Sequence, residues 1–268
     1  MTDELPRAAA RGPRGPAAGA AALAAIALLA TGCGGGHKAA TARTTPAGAG
    51  ANLPRATTYT TIEDLPQDTT PFAGGDGTVL HPADTVPVSA GPGAPAVAEL
   101  PASQLGGPTW VPVVETRPGW RRVLLPSRPN RVTGWIPQSA EDETARSTHQ
   151  VKVDLSDRRM TLLQSGRETG SWKVAVGAAK TPTPIGRTFV LALLAPAKPT
   201  FSPLILPLGA HSDTLDTYGG GPGTVAFHGW TSPSVFGKAI THGCVRVPAD
   251  ALKRLAKVPI GTTVLITA

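Results

Sequence analysis

The chain is poor in the residues that would point to several familiar classes of protein. Only two cysteines, Cys33 and Cys244, occur in 268 residues. Two are too few for a disulfide-stapled fold or a cysteine-rich zinc site. Aromatic residues make up 4% of the chain and charged residues 16%, so the apolar content leans on alanine, valine and leucine. No block of lysine and arginine interleaved with aromatics occurs, which argues against nucleic acid as a partner. The uncharged Ala17–Ala30 stretch is 14 residues long, short of the roughly 20 that a membrane-spanning helix needs. What the chain has in plenty is glycine and proline, 31 and 28 residues, about twice ordinary usage. That excess belongs in turns, loops and linkers and excludes a long-helix protein.

The net charge of +7 is unevenly placed. Residues 1–148 balance 12 basic against 12 acidic side chains, and residues 149–268 carry 13 against 6. A basic C-terminal half suits an anionic cell wall or an acidic membrane surface as well as nucleic acid. Charge alone therefore does not choose a function.

The first 33 residues read as a targeting segment. Arg7, Arg11 and Arg14 precede the apolar Ala17–Ala30 run, and small residues lead into Cys33. This is the layout of a secretory signal. The run Leu29-Ala30-Thr31-Gly32-Cys33 resembles a bacterial lipobox, which implies lipidation of Cys33, a membrane partner through that anchor, and a mature protein outside the cytoplasm facing the cell wall. A cleaved signal with an incidental cysteine is the alternative. In either case Cys244 has no partner in the chain, and a lone thiol in an exported protein raises the question of reactivity.

Residues 34–80 read as a flexible linker followed by an irregular segment, rich in Ala, Thr, Gly and Pro and poor in periodic pattern. From 81 to 141 the composition changes. Short runs at Val111–Val114, Trp120–Leu125 and Gly134–Ile136 are separated by turn signals such as Arg117-Pro118-Gly119 and Arg128-Pro129-Asn130. The stretches Gly119–Pro126 and Thr133–Pro137 resemble a bacterial SH3-type module, which implies a small β-barrel. Glu141-Asp142-Glu143 then reads as a solvated linker.

Residues 149–268 predict a mostly β domain with one or two short helices. Strands are expected at Val151–Leu155, Met160–Leu163, Trp172–Val176, Arg187–Leu191 and Val264–Ile266. Leu252 and Leu255 fall at helical spacing between Pro248 and Lys257, with Pro248 suited to a first turn. The Pro- and Gly-rich stretch 195–225 is a candidate lid, and its Tyr218 suits loop packing or substrate contact.

Chemistry concentrates near the end of the chain, in Phe227-His228-Gly229-Trp230 and Thr241-His242-Gly243-Cys244-Val245-Arg246. Thiol-based acyl transfer needs a thiolate, a base to generate it and donors for an oxyanion. Cysteine and histidine supply the first two, and a glycine beside the cysteine lets backbone N–H groups approach a carbonyl. Taken singly these residues say little, since a lone cysteine is ordinarily a small buried hydrophobe and a lone histidine ordinarily structural. His228, His242 and Cys244 could also ligate zinc, but a fourth ligand or an H-E-x-x-H run is missing, and no metal is expected.

Together they are far more specific. The His-Gly pair, a loop of 12 residues between His228 and Thr241, the Thr-His-Gly-Cys-x-Arg block, and the upstream Thr181-Pro182-Thr183-Pro184-Ile185-Gly186 turn resemble the L,D-transpeptidase catalytic domain of the YkuD family over residues 149–268. The resemblance implies a YkuD-like β-sandwich and no cofactor. It implies Cys244 as nucleophile and His228 as general base, oriented by the Gly229 carbonyl. It places His242 and Gly243 in the block that shapes the oxyanion site, with the N–H groups of Gly243 and Cys244 as donors. Arg246 would hold the cysteine turn or meet a substrate carboxylate, with Thr241 and Trp230 beside the substrate. The activity implied is formation of 3→3 cross-links between peptidoglycan tetrapeptide stems through a Cys244 thioester, with release of D-Ala and sensitivity to carbapenems; water as acceptor would make a carboxypeptidase. A non-catalytic wall-binding lipoprotein remains a competing reading. A papain-like peptidase would place its cysteine before its histidine, and a sortase would need a Thr-x-Thr-Cys strand that the sequence lacks.

Overall fold

The computed structural model describes residues 52–198 and 201–268. The expected signal segment, Cys33 and the first part of the linker lie outside the described residues. Two apolar cores organise what is described, and each collects the inward face of a sheet.

The N-terminal part holds β1 (Thr78–His81), β2 (Val86–Ser89), β3 (Ala96–Leu100), the short pair β4 (Ser103–Gln104) and β5 (Gly107–Pro108), β6 (Val111–Arg117), β7 (Trp120–Leu124), β8 (Thr133–Pro137) and β9 (Glu143–Arg146). Seven of these strands are ordered β3-β2-β8-β7-β6-β1-β9. The three runs read from sequence become β6, β7 and β8, joined by antiparallel pairing such as Arg122 with Trp135. The assembly is wider than the 81–141 span. Its first strand begins at Thr78, and Glu143, expected in a solvated linker, opens the fully exposed β9, which pairs along β1. An exposed edge strand carries no apolar alternation, so its sequence reads as linker. Residues 56–76 are irregular as expected but not loose. Ala56, Ile62 and Leu65 are buried in the core of this sheet with Leu80, Val88, Val111, Val123 and Ile136.

The C-terminal part holds β10 (His149–Asp154), β11 (Arg159–Gln164), β12 (Arg167–Lys173), β13 (Val176–Gly177), β14 (Gly186–Phe189), β15 (Ile205–His211), β16 (Thr224–His228), β17 (Ala239–Thr241), β18 (Val245–Arg246), the helix α1 (Ala249–Leu255) and β19 (Thr263–Thr267). One 3-10 turn lies at Pro233–Val235. A five-stranded sheet ordered β12-β11-β10-β19-β14 faces a three-stranded sheet ordered β15-β16-β18 across a shared core. Val151, Val153, Met160, Val264 and Ile266 come from the first sheet, Leu206, Leu208, Val225, Phe227 and Val245 from the second. The helix closes the core with Ala251, Leu252 and Leu255, and Pro248 stands at its N-cap with extended backbone. The expected third strand at Trp172–Val176 is displaced: β12 spans Arg167–Lys173, while Val174-Ala175-Val176 leaves the sheet. There Ala175 bridges Arg246 and Val176 pairs with Ala239.

The two parts are not independent. Phe189 and Leu191 of the C-terminal part are buried in the N-terminal core. Beside them Arg187 makes a two-pronged ion pair with Asp68, Nε to Oδ2 at 2.9 Å and Nη2 to Oδ1 at 2.8 Å. Both side chains are buried. Ser147 and Thr262 share a further buried hydrogen bond at 2.7 Å.

Candidate active site

The site is built from strand register. β16 and β18 run parallel, with Phe227 beside Val245 and His228 beside Arg246. Side chains alternate along a strand, so Phe227 and Val245 turn together into the core, where both are fully buried. His228 must then share the opposite face with Cys244 and Arg246. These three, with Phe201, Tyr218, Trp230, Thr241 and His242, line one cavity of about 220 Å³.

His228 is buried, and its Nδ1 lies 2.8 Å from the Gly229 carbonyl oxygen. A carbonyl only accepts, so Nδ1 carries the proton and Nε2 is left as the basic nitrogen. Burial pushes the imidazole below its ordinary range, the Gly229 bond works against that shift, and the Arg246 charge adds to it. The Gly229 turn is itself pinned, since its N–H donates to Ser202 Oγ at 2.7 Å and that hydroxyl donates to the Leu204 carbonyl at 2.5 Å. The aromatic wall is continuous. The Phe201 ring meets His228 edge-on at 5.0 Å, and Trp230 lies 5.8 Å from Phe201.

The Cys244 thiol is half-buried, and burial pushes its pKa up; a backbone hydrogen bond at Ala226 and the Arg246 charge pull the other way. Its turn is braced from both sides. Thr241 Oγ1 donates to the Cys244 carbonyl at 2.5 Å and accepts from the Gly243 N–H at 3.2 Å. From the Thr181–Gly186 turn, Thr183 Oγ1 donates to the Gly243 carbonyl at 2.8 Å and accepts from Gly177 N–H at 2.9 Å. Thr181 Oγ1 donates to the Thr241 carbonyl at 2.9 Å. Gly243 has φ +114°, backbone that a side-chain-bearing residue rarely adopts. The two upstream threonines of the sequence motif thus act on the cysteine turn some sixty residues later.

Arg246 stacks its guanidinium on Trp230, 3.5 Å from the ring centroid, and its buried Nε has no partner among the described residues. His242 is exposed and points to a different neighbour, the Tyr218 ring, stacked on it at 4.7 Å. All the residues singled out from sequence in this domain therefore gather at one place. One role changes, because the Gly243 N–H expected as an oxyanion donor is engaged by Thr241. Sequence reasoning did not find Phe201 or Ser202. Neither lies in a motif, and Ser202 acts through a hydroxyl placed beside Gly229 by the chain's return.

The profile of the L,D-transpeptidase catalytic domain, YkuD, matches residues 148–266. Those residues are a YkuD-family L,D-transpeptidase catalytic domain. A Bacillus licheniformis protein provisionally named L,D-transpeptidase YkuD is 32% identical over 120 residues, covering 44% of this chain and 66% of its own. The chain thus spans just under two thirds of that relative's length. Among solved structures, an L,D-transpeptidase from Mycobacterium smegmatis is 17% identical over 59% of this chain and 82% of its own, with a TM-score of 0.38. The catalytic domain of the E. faecium L,D-transpeptidase is 24% identical over 44% and 96%, with a TM-score of 0.35. L,D-transpeptidase 3 from Mycobacterium tuberculosis, solved with a faropenem-derived adduct, is 16% identical over 52% and 74%, with a TM-score of 0.37.

Proposed function

We propose that the YkuD domain of this chain is a peptidoglycan L,D-transpeptidase that forms 3→3 cross-links through a thioester on Cys244. The observation that carries the proposal is the shared face of β16 and β18. It presents a buried imidazole, with its Nδ1 proton committed to Gly229, to the same cavity as a half-buried thiol.

At rest both groups are neutral, because burial raises the thiol and lowers the imidazole. His228 Nε2 takes the thiol proton as the sulfur attacks the carbonyl of the L,D bond that joins the third stem residue to D-Ala. With the Gly243 N–H engaged by Thr241, the Cys244 N–H is the donor left to the developing oxyanion. The C–N bond then breaks, the imidazolium returns its proton to the departing D-Ala amine, and a thioester remains. An amine of a second stem attacks that thioester, His228 takes the amine's proton, and the proton passes to the leaving sulfur. One amide is exchanged for another, so no oxidant, metal or cofactor enters. Arg246, fixed on Trp230 with an Nε that is unpaired among the described residues, is suited to a stem carboxylate. The same acylation of Cys244 would trap carbapenems. The cell-wall location follows from the N-terminal segment, where Cys33 is the proposed lipidation site.

The test incubates the full chain with purified tetrapeptide muropeptides and reads products by mass spectrometry beside Cys244→Ala. A dimer lighter by one D-Ala per link, absent with the variant, is the expected result. Release of D-Ala without dimer would replace the proposal by a carboxypeptidase. Dimer formed by Cys244→Ala would overturn the role of the thiol.

A further inference from the structure

The loop between β15 and β16 is held by the N-terminal part of the chain. Its tip is a tight hairpin in which Tyr218 and Gly221 exchange both backbone hydrogen bonds at 3.0 Å, around Gly219 and Gly220 with φ +59° and +82°. Two consecutive left-handed residues are what a type I′ turn requires, and glycine takes that conformation without steric cost. The tip delivers the Tyr218 ring, 52% exposed on its outer side, onto His242, two residues from the nucleophile.

Below the tip, both arms of the hairpin end on one guanidinium. Arg128 Nη2 donates to the Asp216 carbonyl at 2.7 Å and closely to the Pro222 carbonyl, and Nη1 reaches the Asp216 carboxylate at 3.4 Å. The Arg128 side chain is largely buried although that carboxylate is fully exposed. This arginine therefore works chiefly on the two backbone carbonyls, of which the Pro222 contact is part-buried. At the loop's start Asn130 reads the backbone of His211 in both directions, Nδ2 to its carbonyl at 2.8 Å and Oδ1 from its N–H at 3.0 Å. Nδ2 also donates to the Asp213 carboxylate at 2.7 Å. Arg128 is fixed in turn by backbone bonds to Thr60 and Ile62.

We propose that Arg128 and Asn130 are positioning residues of the transpeptidase site: the N-terminal β-module clamps the 212–223 hairpin so that Tyr218 forms a wall of the Cys244 cavity. The proposal deepens the reading of the site as a transpeptidase and rests on it for its kinetic consequence. The module is then a working part of the active site, and substrate is met by a surface to which both parts of the chain contribute. Arg128→Lys keeps the charge but loses the planar fork that spans two carbonyls, so lysine should behave as a loss of function.

The experiment uses the full chain with Arg128→Gln, Arg128→Lys, Tyr218→Ala and the Arg128→Gln/Tyr218→Ala double variant. Hydrogen exchange reads the loop, and the rate of Cys244 acylation by a carbapenem, followed by mass, reads the site. The expected result is faster exchange confined to 212–223, with β10, β11 and β19 as protected as in the parent. The acylation kcat/KM should fall about tenfold, the size expected from losing a charge-assisted contact. Tyr218→Ala should fall equally and the double variant no further. Unchanged exchange in 212–223, a full acylation rate with the loop loosened, or additive losses in the double variant would each overturn the proposal. If Arg128→Gln folds poorly, Arg128→Lys and the surface variant Tyr218→Ala carry the comparison. A parent chain that no carbapenem acylates would overturn the transpeptidase reading instead, and the exchange arm alone would then decide the clamp.

Discussion

Thr183 offers a strict test of how the cysteine turn is held. Its side chain is 2% exposed, and its single hydroxyl joins Gly177 N–H to the Gly243 carbonyl. Thr183→Val keeps the shape and removes the hydroxyl, leaving one part-buried donor and one buried acceptor unsatisfied. Each such group costs about 1–3 kcal/mol, so the variant should lose about 2–4 kcal/mol after partial relaxation. For a folded unit of this size that corresponds to a drop in Tm of about 5–15 °C. The second effect is local. Gly243 holds φ +114° next to Cys244, and freeing its carbonyl lets the peptide that positions the thiol rotate. Acylation of Cys244 should therefore slow even well below the melting temperature, whereas Thr183→Ser should retain both properties. Differential scanning calorimetry and single-turnover acylation by a carbapenem give the two readouts. A valine variant that melts with the parent and is acylated at the parent's rate would refute the bracing argument.

The pH dependence has a definite sign. His228 is held below the ordinary imidazole value, chiefly by burial, so the neutral imidazole predominates near pH 7. The acid limb of the acylation rate should fall below about pH 6.5, and a limb centred above neutrality would contradict the site described. The same burial acts on stability. His211 is also lowered, again chiefly by desolvation, so the unfolded chain binds protons that the folded one resists. Their contribution is present above the unfolded value near 6.5 and is lost as pH falls toward the lower folded values, which a Tm series across that range would follow. Arg187→Met strands the buried Asp68 carboxylate, which should cost about 3–5 kcal/mol. Chemical denaturation would measure it, and a loss under 1 kcal/mol would mean that Asp68 finds water.

Much of the site is legible in the sequence alone, and the reason is local. His228 and Cys244 sit in two short motifs, and a parallel pair of strands brings the motifs side by side with matching parity. The helix at 249–255 was likewise announced by its own spacing and by Pro248. What could not be read depends on distant partners. Arg167–Lys173 is an edge strand with one apolar residue, Trp172, and Val174-Ala175-Val176 looks more strand-like because it is buried against β17 and β18. The threonine turn was legible as a motif, but its hydrogen bonds to residues 241 and 243 were not. Arg128 and Asn130 read only as turn residues. Their contacts span more than eighty positions and leave no periodic trace.

The placement of Phe189 and Leu191 in the N-terminal core bears on what counts as a separable piece of this protein. The family profile begins at residue 148, yet a fragment cut there would carry two large apolar side chains whose partners had been left behind, beside an Arg187 without its carboxylate. Kinship and folding thus draw different borders on the same chain. The N-terminal module is not an exchangeable cassette, and swapping it for another domain would require a replacement that rebuilds the missing half of a shared interior.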